Sequence, residues 1–177
     1  AWTYLKRYAA PILAETPNES ELRVELINGA RIRLYGADNA DRLRGIYLDG
    51  VVGDEVAQWR PGVWEEVLRP TLMDRQGWAA FIGTPAGKNE FWRLWDEAGK
   101  AEQDWFRLML KASETGLIPQ AELDAARKSM SQEQYEQELE CSFEAAIQGA
   151  FYADQMRRAL DEKRIARVPV DRGIEVH

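Results

Sequence analysis

Cysteine and histidine are almost missing from this chain of 177 residues: Cys141 is its one cysteine and His177, the last residue, its one histidine. A disulfide framework, a cysteine-based zinc site and a histidine-based triad are thereby excluded within it. A reducing compartment is the natural setting, with Cys141 read as a small apolar core residue. No apolar run approaches the roughly 20 residues of a membrane span, and the first residues carry no signal-peptide pattern. Positive charge is also short. A formal net charge of −7 gives no broad basic footprint for nucleic acid, so any phosphate contact has to be local.

What is present fits one globular domain with a real core: 45% apolar residues, seven tryptophans and 30% charged residues. The chain opens at Ala1 without a methionine and stops at His177 just after an apolar, strand-like stretch. It is therefore expected to be a segment of a longer protein.

Trp2, Leu5, Tyr8, Ala9, Ile12 and Leu13 recur near helical spacing, with Pro11 expected to end or kink the helix. Strict alternation from Glu21 to Ile27 and from Ala30 to Tyr35, either side of Asn28-Gly29, predicts a β-hairpin with a two-residue type I′ turn and one buried face. A polar loop or short helix carrying Arg42 and Arg44 follows. Trp78 to Ile82 predicts a second buried strand and Trp105 to Leu110 a third, with helices over Val63–Arg69 and Glu90–Asp96 between. Pro61 is expected in the first turn of the earlier helix and Pro70 is expected to interrupt it. Alternating strands and helices imply a mostly parallel sheet with helices on its faces, an α/β fold.

From Pro119 onward the pattern is helical. Gln120 to Met130 forms one helix, and Ser131-Gln132-Glu133-Gln134 opens the next as a reduced capping box. There Tyr135, Leu139 and Phe143 mark an apolar side. A last helix, Asp154 to Arg164, carries Arg157, Arg158, Lys163 and Arg164, the one basic concentration in the chain.

The stretch around which the rest is arranged is Gly45 to Glu55, an apolar, β-branched run that ends in the adjacent carboxylates Asp54 and Glu55. Carboxylates at the carboxyl end of a buried parallel strand stand where open α/β sheets bind ligands. In nucleotide-hydrolysing proteins the first of such a pair helps hold Mg²⁺ and the second positions and activates the attacking water. An apolar strand also ends in Asp-Glu for simple solvation, so the pair alone leaves both readings open. Gly83-Thr84-Pro85-Ala86-Gly87-Lys88-Asn89 imitates a phosphate-binding loop but has three residues between its glycines where four are needed. Asn89 stands where a hydroxyl belongs.

Asp41-Arg42-Leu43-Arg44-Gly45 leading into the strand, then Trp64–Pro70, then Asp74–Asn89, then Gln134–Phe143, in that order, resembles the large terminase subunit of tailed bacteriophages. The resemblance covers nearly the whole chain. It implies an ATP-driven motor that packages double-stranded viral DNA into a preformed capsid, with an N-terminal P-loop ATPase domain and a C-terminal metal-dependent nuclease. By motif, Asp54 is similar to the Walker B aspartate that binds Mg²⁺ and Glu55 to the catalytic glutamate. Gly83, Thr84 and Pro85 resemble the coupling motif that senses the bound nucleotide. Arg44 resembles an arginine offered to a neighbouring subunit's ATP, where it would stabilise charge on the transferred phosphoryl group.

The implied division is the later part of the ATPase domain over 1–113, a helical connector over 114–167 and the start of the nuclease over 168–177. The phosphate loop would lie before Ala1 and the nuclease carboxylates after His177; Asp171 and Glu175 are not assigned to that set. This segment alone is accordingly expected to be inactive. Implied partners are viral DNA, the small terminase subunit, the portal protein and further copies in a ring, with no membrane, in the host cytoplasm at the procapsid portal. Gly53 departs from the family's apolar residue at its position, and Asp49 is a rival for the Walker B role. A helicase-like P-loop motor and a non-catalytic α/β scaffold domain remain as alternatives.

Overall fold

The computed structural model describes residues 1–100, 104–144, 158–159 and 162–164. The chain forms two compact units, one of Ala1–Asp54 with Trp59–Phe81 and the other of Glu55–Gln58 with Ile82–His177.

The first unit begins with helix α1, Trp2–Ala9, which passes at Pro11 into a single 3₁₀ turn, Ala10–Ile12. Proline here sits at the start of the new turn, where its missing N–H costs nothing. Glu19 holds the helix by accepting from the Trp2 indole and from Lys6, each at 2.6 Å. Strands β1, Arg23–Glu25, and β2, Arg31–Arg33, pair antiparallel. Both are shorter than the alternation predicts, and of this hairpin only Val24 is fully buried while β2 is exposed along its length.

The turn also differs from the type I′ expectation. Leu26 N–H bonds to Ala30 and Gly29 N–H to Leu26, which leaves the three-residue loop Ile27-Asn28-Gly29. Only Gly29 takes positive φ (82°), whereas a type I′ turn needs it at both central residues. The Asn28 side chain instead accepts from the Ala30 N–H.

After a 3₁₀ segment, Ala37–Leu43, the chain enters β3, Gly50–Gly53, which runs parallel to β4, Trp78–Phe81. Between them lie a π-helical segment, Val63–Leu68, and helix α2, Arg69–Met73. Gly62, with φ 85°, is the N-cap, so Pro61 stands outside the helix and not in its first turn. Pro70 changes the helix type and does not end it. Val63, Trp64, Val67, Leu68 and Leu72 fill the core here, and Phe81 meets the Trp64 ring edge-on at 4.8 Å between centroids. The Leu48 N–H bonds to the Thr71 carbonyl and the Trp78 N–H to Asp49, tying α2 and both strands together.

In the second unit a 3₁₀ turn, Val56–Gln58, packs with helix α3, Glu90–Lys100, followed by α4, Ala112–Thr115, α5, Gln120–Ser129, and α6, Gln132–Glu138. The third strand expected at Trp105–Leu110 does not form. Its apolar composition suits a strand, but among the described residues no strand pairs with it, and Phe106, Leu108 and Leu110 are exposed. The segment is held to α3 by the Arg107 guanidinium, which lies 4.9 Å from the Trp95 ring centroid, and to the segment after α6 by the Cys141 thiol at 3.5 Å from the Leu110 carbonyl.

Ser131 caps α6 as predicted, its hydroxyl accepting from the Gln134 N–H at 3.2 Å. The helix stops at Glu138, and Cys141 turns the chain with φ 55°. Phe143 therefore leaves the face of Tyr135 and Leu139, and its ring packs instead with Phe91 and Trp95. The predicted Asp154–Arg164 helix falls largely outside the described residues.

Candidate functional site

The bounds of β3 sort the competing carboxylates. Asp49 immediately precedes its first residue and Asp54 immediately follows its last. Because β3 and β4 run parallel with Gly50 opposite Trp78 and Gly53 opposite Phe81, both strands finish at the same level. The adjacent pair Asp54-Glu55 thus stands at the carboxyl end, the ligand-binding side of such a sheet. Asp49 is at the opposite end, where both its oxygens accept from Arg75 at 3.1 Å. Gly53, the departure from the family pattern, is buried and keeps its place in the ladder opposite Phe81.

In the first unit the Asp54 carbonyl accepts from the Trp59 indole N–H at 3.0 Å, which folds the following chain back on the strand end. The Asp54 side chain is exposed. Mg²⁺ takes one or two protein carboxylates and completes its shell with phosphate oxygens and water. A single exposed carboxylate at a strand end fits that requirement. Among the described residues no three or more His, Cys, Asp or Glu side chains gather into an all-protein metal cage.

In the second unit Glu55 takes a left-handed backbone conformation, φ 52°, a region a residue with a Cβ enters at some cost. The turn around it is secured on several sides. The Gln58 N–H bonds to the Glu55 carbonyl at 2.8 Å, and the Gln58 side-chain amide donates to the Glu55 carboxylate at 3.2 Å. Val56, with 1% of its surface exposed, anchors the turn in the core, and its N–H bonds to the Ile82 carbonyl. Gly83 then passes close beneath: a Cβ there would lie 3.2 Å from the Val56 nitrogen, and its φ is 155°. Pro85 and Gly87 are buried, Thr84 is partly so, and the Lys88 ammonium pairs with Glu144 at 2.7 Å.

Arg44 belongs to the first unit and is half exposed. Its Nε donates to Asp41 at 2.9 Å and its Nη1 to the Glu66 carbonyl at 3.0 Å, while Arg60 donates to the other Asp41 oxygen at 2.8 Å. Pro70, four residues on from Glu66, has no N–H to donate to that carbonyl. The Arg44 hydrogen bond, helped by the charge of Arg60, holds the Asp41 carboxyl below the usual carboxylate range.

One residue that organises the site was not singled out for that role in the sequence: Asn89, read there only as a missing hydroxyl. It precedes Glu90-Phe91-Trp92, and an Asn just before a helical run is an N-cap signal. Its Oδ1 accepts from the Phe91 and Trp92 N–H groups at the start of α3.

Comparison with known proteins places the chain in a family. The family model for the terminase large subunit, T4likevirus-type, N-terminal, matches residues 3–158. Over 65 residues, 37% of the chain, the sequence is 48% identical to the large terminase subunit of Thermus phage G20c, of which this is 13%. Over 142 residues, 78% of the chain, it is 28% identical to that of Escherichia phage T5, of which this is 32%. The chain thus spans less than a third of the curated relatives it matches.

Its backbone is similar to an arginine-to-alanine mutant of the Thermus phage P74-26 large terminase ATPase domain, with TM-score 0.62 and 23% identity, covering 80% of this chain and 68% of that one. The large terminase of another thermophilic bacteriophage gives a TM-score of 0.58 at 17% identity, covering 76% and 34%. These likenesses show the mixed α/β fold of the ATPase domain, and the family match over residues 3–158 shows that the chain belongs to the terminase large subunit family, in its N-terminal region.

Proposed function

We propose that this chain is the later part of the ATPase domain of a viral DNA-packaging motor, with its helical connector, and that Asp54 and Glu55 are its hydrolytic centre. The observation that carries this is the position of the pair immediately beyond the carboxyl end of β3, in a chain of this family. Asp54 would hold Mg²⁺, which when bound to ATP neutralises the charge of the phosphates. Glu55 orients the attacking water and draws off its proton. Gly83, Thr84 and Pro85 carry the nucleotide state into the adjoining α3, and Gly83 supports this by lying against the Glu55–Val56 backbone.

Arg44 would be offered to the ATP of a neighbouring copy in a ring, exchanging Asp41 and Glu66 for phosphate. Its half-exposed guanidinium suits that role. The ATPase part is proposed to run over 1–113 and the connector over 114–167. The start of the nuclease, 168–177, lies outside the described residues. Working partners of the complete protein are double-stranded viral DNA, the small terminase subunit and the portal protein, met in the host cytoplasm at the procapsid. Among the described residues no helix is long and apolar enough to cross a membrane.

The test compares two variants of the complete subunit. Glu55→Gln keeps size but loses basicity, so Mg·ATP binding persists while single-turnover hydrolysis drops on the order of 10²–10⁴-fold. Asp54→Asn weakens Mg·ATP affinity as well as turnover. Hydrolysis at the normal rate by Glu55→Gln together with loss in Asp49→Asn would hand the site to the earlier carboxylate. Residues 1–177 alone, with no phosphate loop among them, are expected to show no Mg²⁺-dependent turnover.

A further inference from the structure

We propose that Asn89 is a positioning residue for Glu55, acting through a side-chain clamp between the first turn of α3 and the turn that carries the glutamate. The inference rests on the reading of Glu55 given above. Asn89 uses both ends of its amide at once. Its Nδ2 donates to the Ala57 carbonyl at 2.8 Å, inside the Glu55–Gln58 turn, and to the Ala86 carbonyl at 3.1 Å, in the loop after Gly83. Its Oδ1 caps α3 through the N–H groups of Phe91 and Trp92 at 3.0 and 3.4 Å.

The orientation is unambiguous, because turning the amide over would set its oxygen against two carbonyls and its NH₂ against two N–H groups. One half-buried side chain therefore fixes three segments: the Glu55 turn, the Gly83–Lys88 loop and the α3 N-terminus. Glu55 is already in a left-handed backbone and its carboxylate bonds to Gln58 within the same turn. A displacement of Ala57 is passed to both through one or two peptide units. This amide joins α3 and the loop to the turn by direct hydrogen bonds, which gives the loop a physical line to the glutamate.

Asn89→Asp separates the clamp from the cap. The aspartate still accepts at the helix N-terminus, where it is a favourable cap, but it cannot donate to Ala57 and Ala86 and repels both carbonyls. In the complete subunit it is expected to lower kcat on the order of ten- to a hundredfold, as for a misplaced catalytic group. Mg·ATP affinity stays within about a factor of two, and the thermal midpoint stays close to that of the parent. Asn89→Ser, a cap with no amide, behaves alike, while Asn89→Ala also lowers the thermal midpoint.

A double-mutant cycle supplies the reading that a purely structural role would not move: in a Glu55→Gln background Asn89→Asp changes the residual single-turnover rate no further. Losses that multiply in the double variant, or normal kcat in Asn89→Asp while Glu55→Gln is inactive, would overturn the clamp and leave Glu55 standing. Normal hydrolysis by Glu55→Gln would remove the glutamate reading and the clamp with it.

Discussion

A Cβ at Gly83 would lie 3.2 Å from the Val56 nitrogen, tighter than an ordinary contact and set against backbone that must give by a few tenths of an ångström. The φ of 155° at Gly83 adds a second penalty for any other residue. Gly83→Ala is expected to destabilise the protein by about 1–3 kcal/mol and to slow hydrolysis, because the neighbour displaced is the glutamate's own backbone. Denaturant unfolding alongside single-turnover kinetics checks both effects; a variant that matches the parent in each would show that the loop moves aside freely.

Arg44 separates a role between subunits from one within a subunit. Arg44→Ala leaves Asp41 with Arg60 alone and returns the Glu66 carbonyl to water, and the loss of such exposed contacts changes stability little. Turnover of the assembled motor should nevertheless fall while ATP binding by one subunit persists. Arg44→Lys should not restore it, since a single ammonium cannot reproduce the planar fork. Equal loss of binding and turnover in Arg44→Ala would make the residue an internal brace.

The Asp41 carboxyl, held below its ordinary value chiefly by Arg44, has a definite pH signature. Its pKa is depressed in the fold, so its contribution to stability is fully present above the unfolded value and disappears as pH falls through the folded one. Carbon-detected NMR titration should place this carboxyl below an ordinary aspartate, and Arg44→Ala should bring it back up. A titration unchanged by that substitution would remove Arg44 as the cause.

Burial, followed by the negative charge of Glu140, pushes the Cys141 thiol up. Since the thiolate is the reactive form, alkylation of the folded protein at mildly alkaline pH should be slower than that of the unfolded chain, and Glu140→Gln should quicken it. Equal rates folded and unfolded would show a thiol open to solvent.

The elements flanked by strong punctuation were legible in the sequence. Val51 and Val52 between glycines gave β3, Trp78–Ile82 before Gly83 gave β4, and the tryptophans of Glu90–Asp96 marked α3. The hairpin turn was not legible, because Asn-Gly suits both a two-residue and a three-residue loop and the choice depends on how Leu26 and Ala30 pair. Trp105–Leu110 has a strand's composition, but a strand also needs an open edge at the right place, which composition alone cannot supply. The Asp54-Glu55 pair was visible as residues, and its placement at the carboxyl end of the ladder required the register with β4. Asn89 gives little sign of a clamp in the sequence, where it stands at the hydroxyl position of a phosphate-loop imitation. Its amide partners, Ala57 and Ala86, are small residues whose side chains give no hint of the carbonyls they present.

On the proposed role of Glu55, its left-handed backbone sets chemistry against durability at one position. A glutamate there sacrifices about 1 kcal/mol that glycine would recover, and asparagine would recover part of it. A library of variants selected for heat resistance alone would therefore drift away from glutamate at this position and grow hardier as it lost the carboxylate. Ranking every substitution by stability gain would then mark residue 55 among the improvable sites, and the same ranking by hydrolysis would reverse its sign.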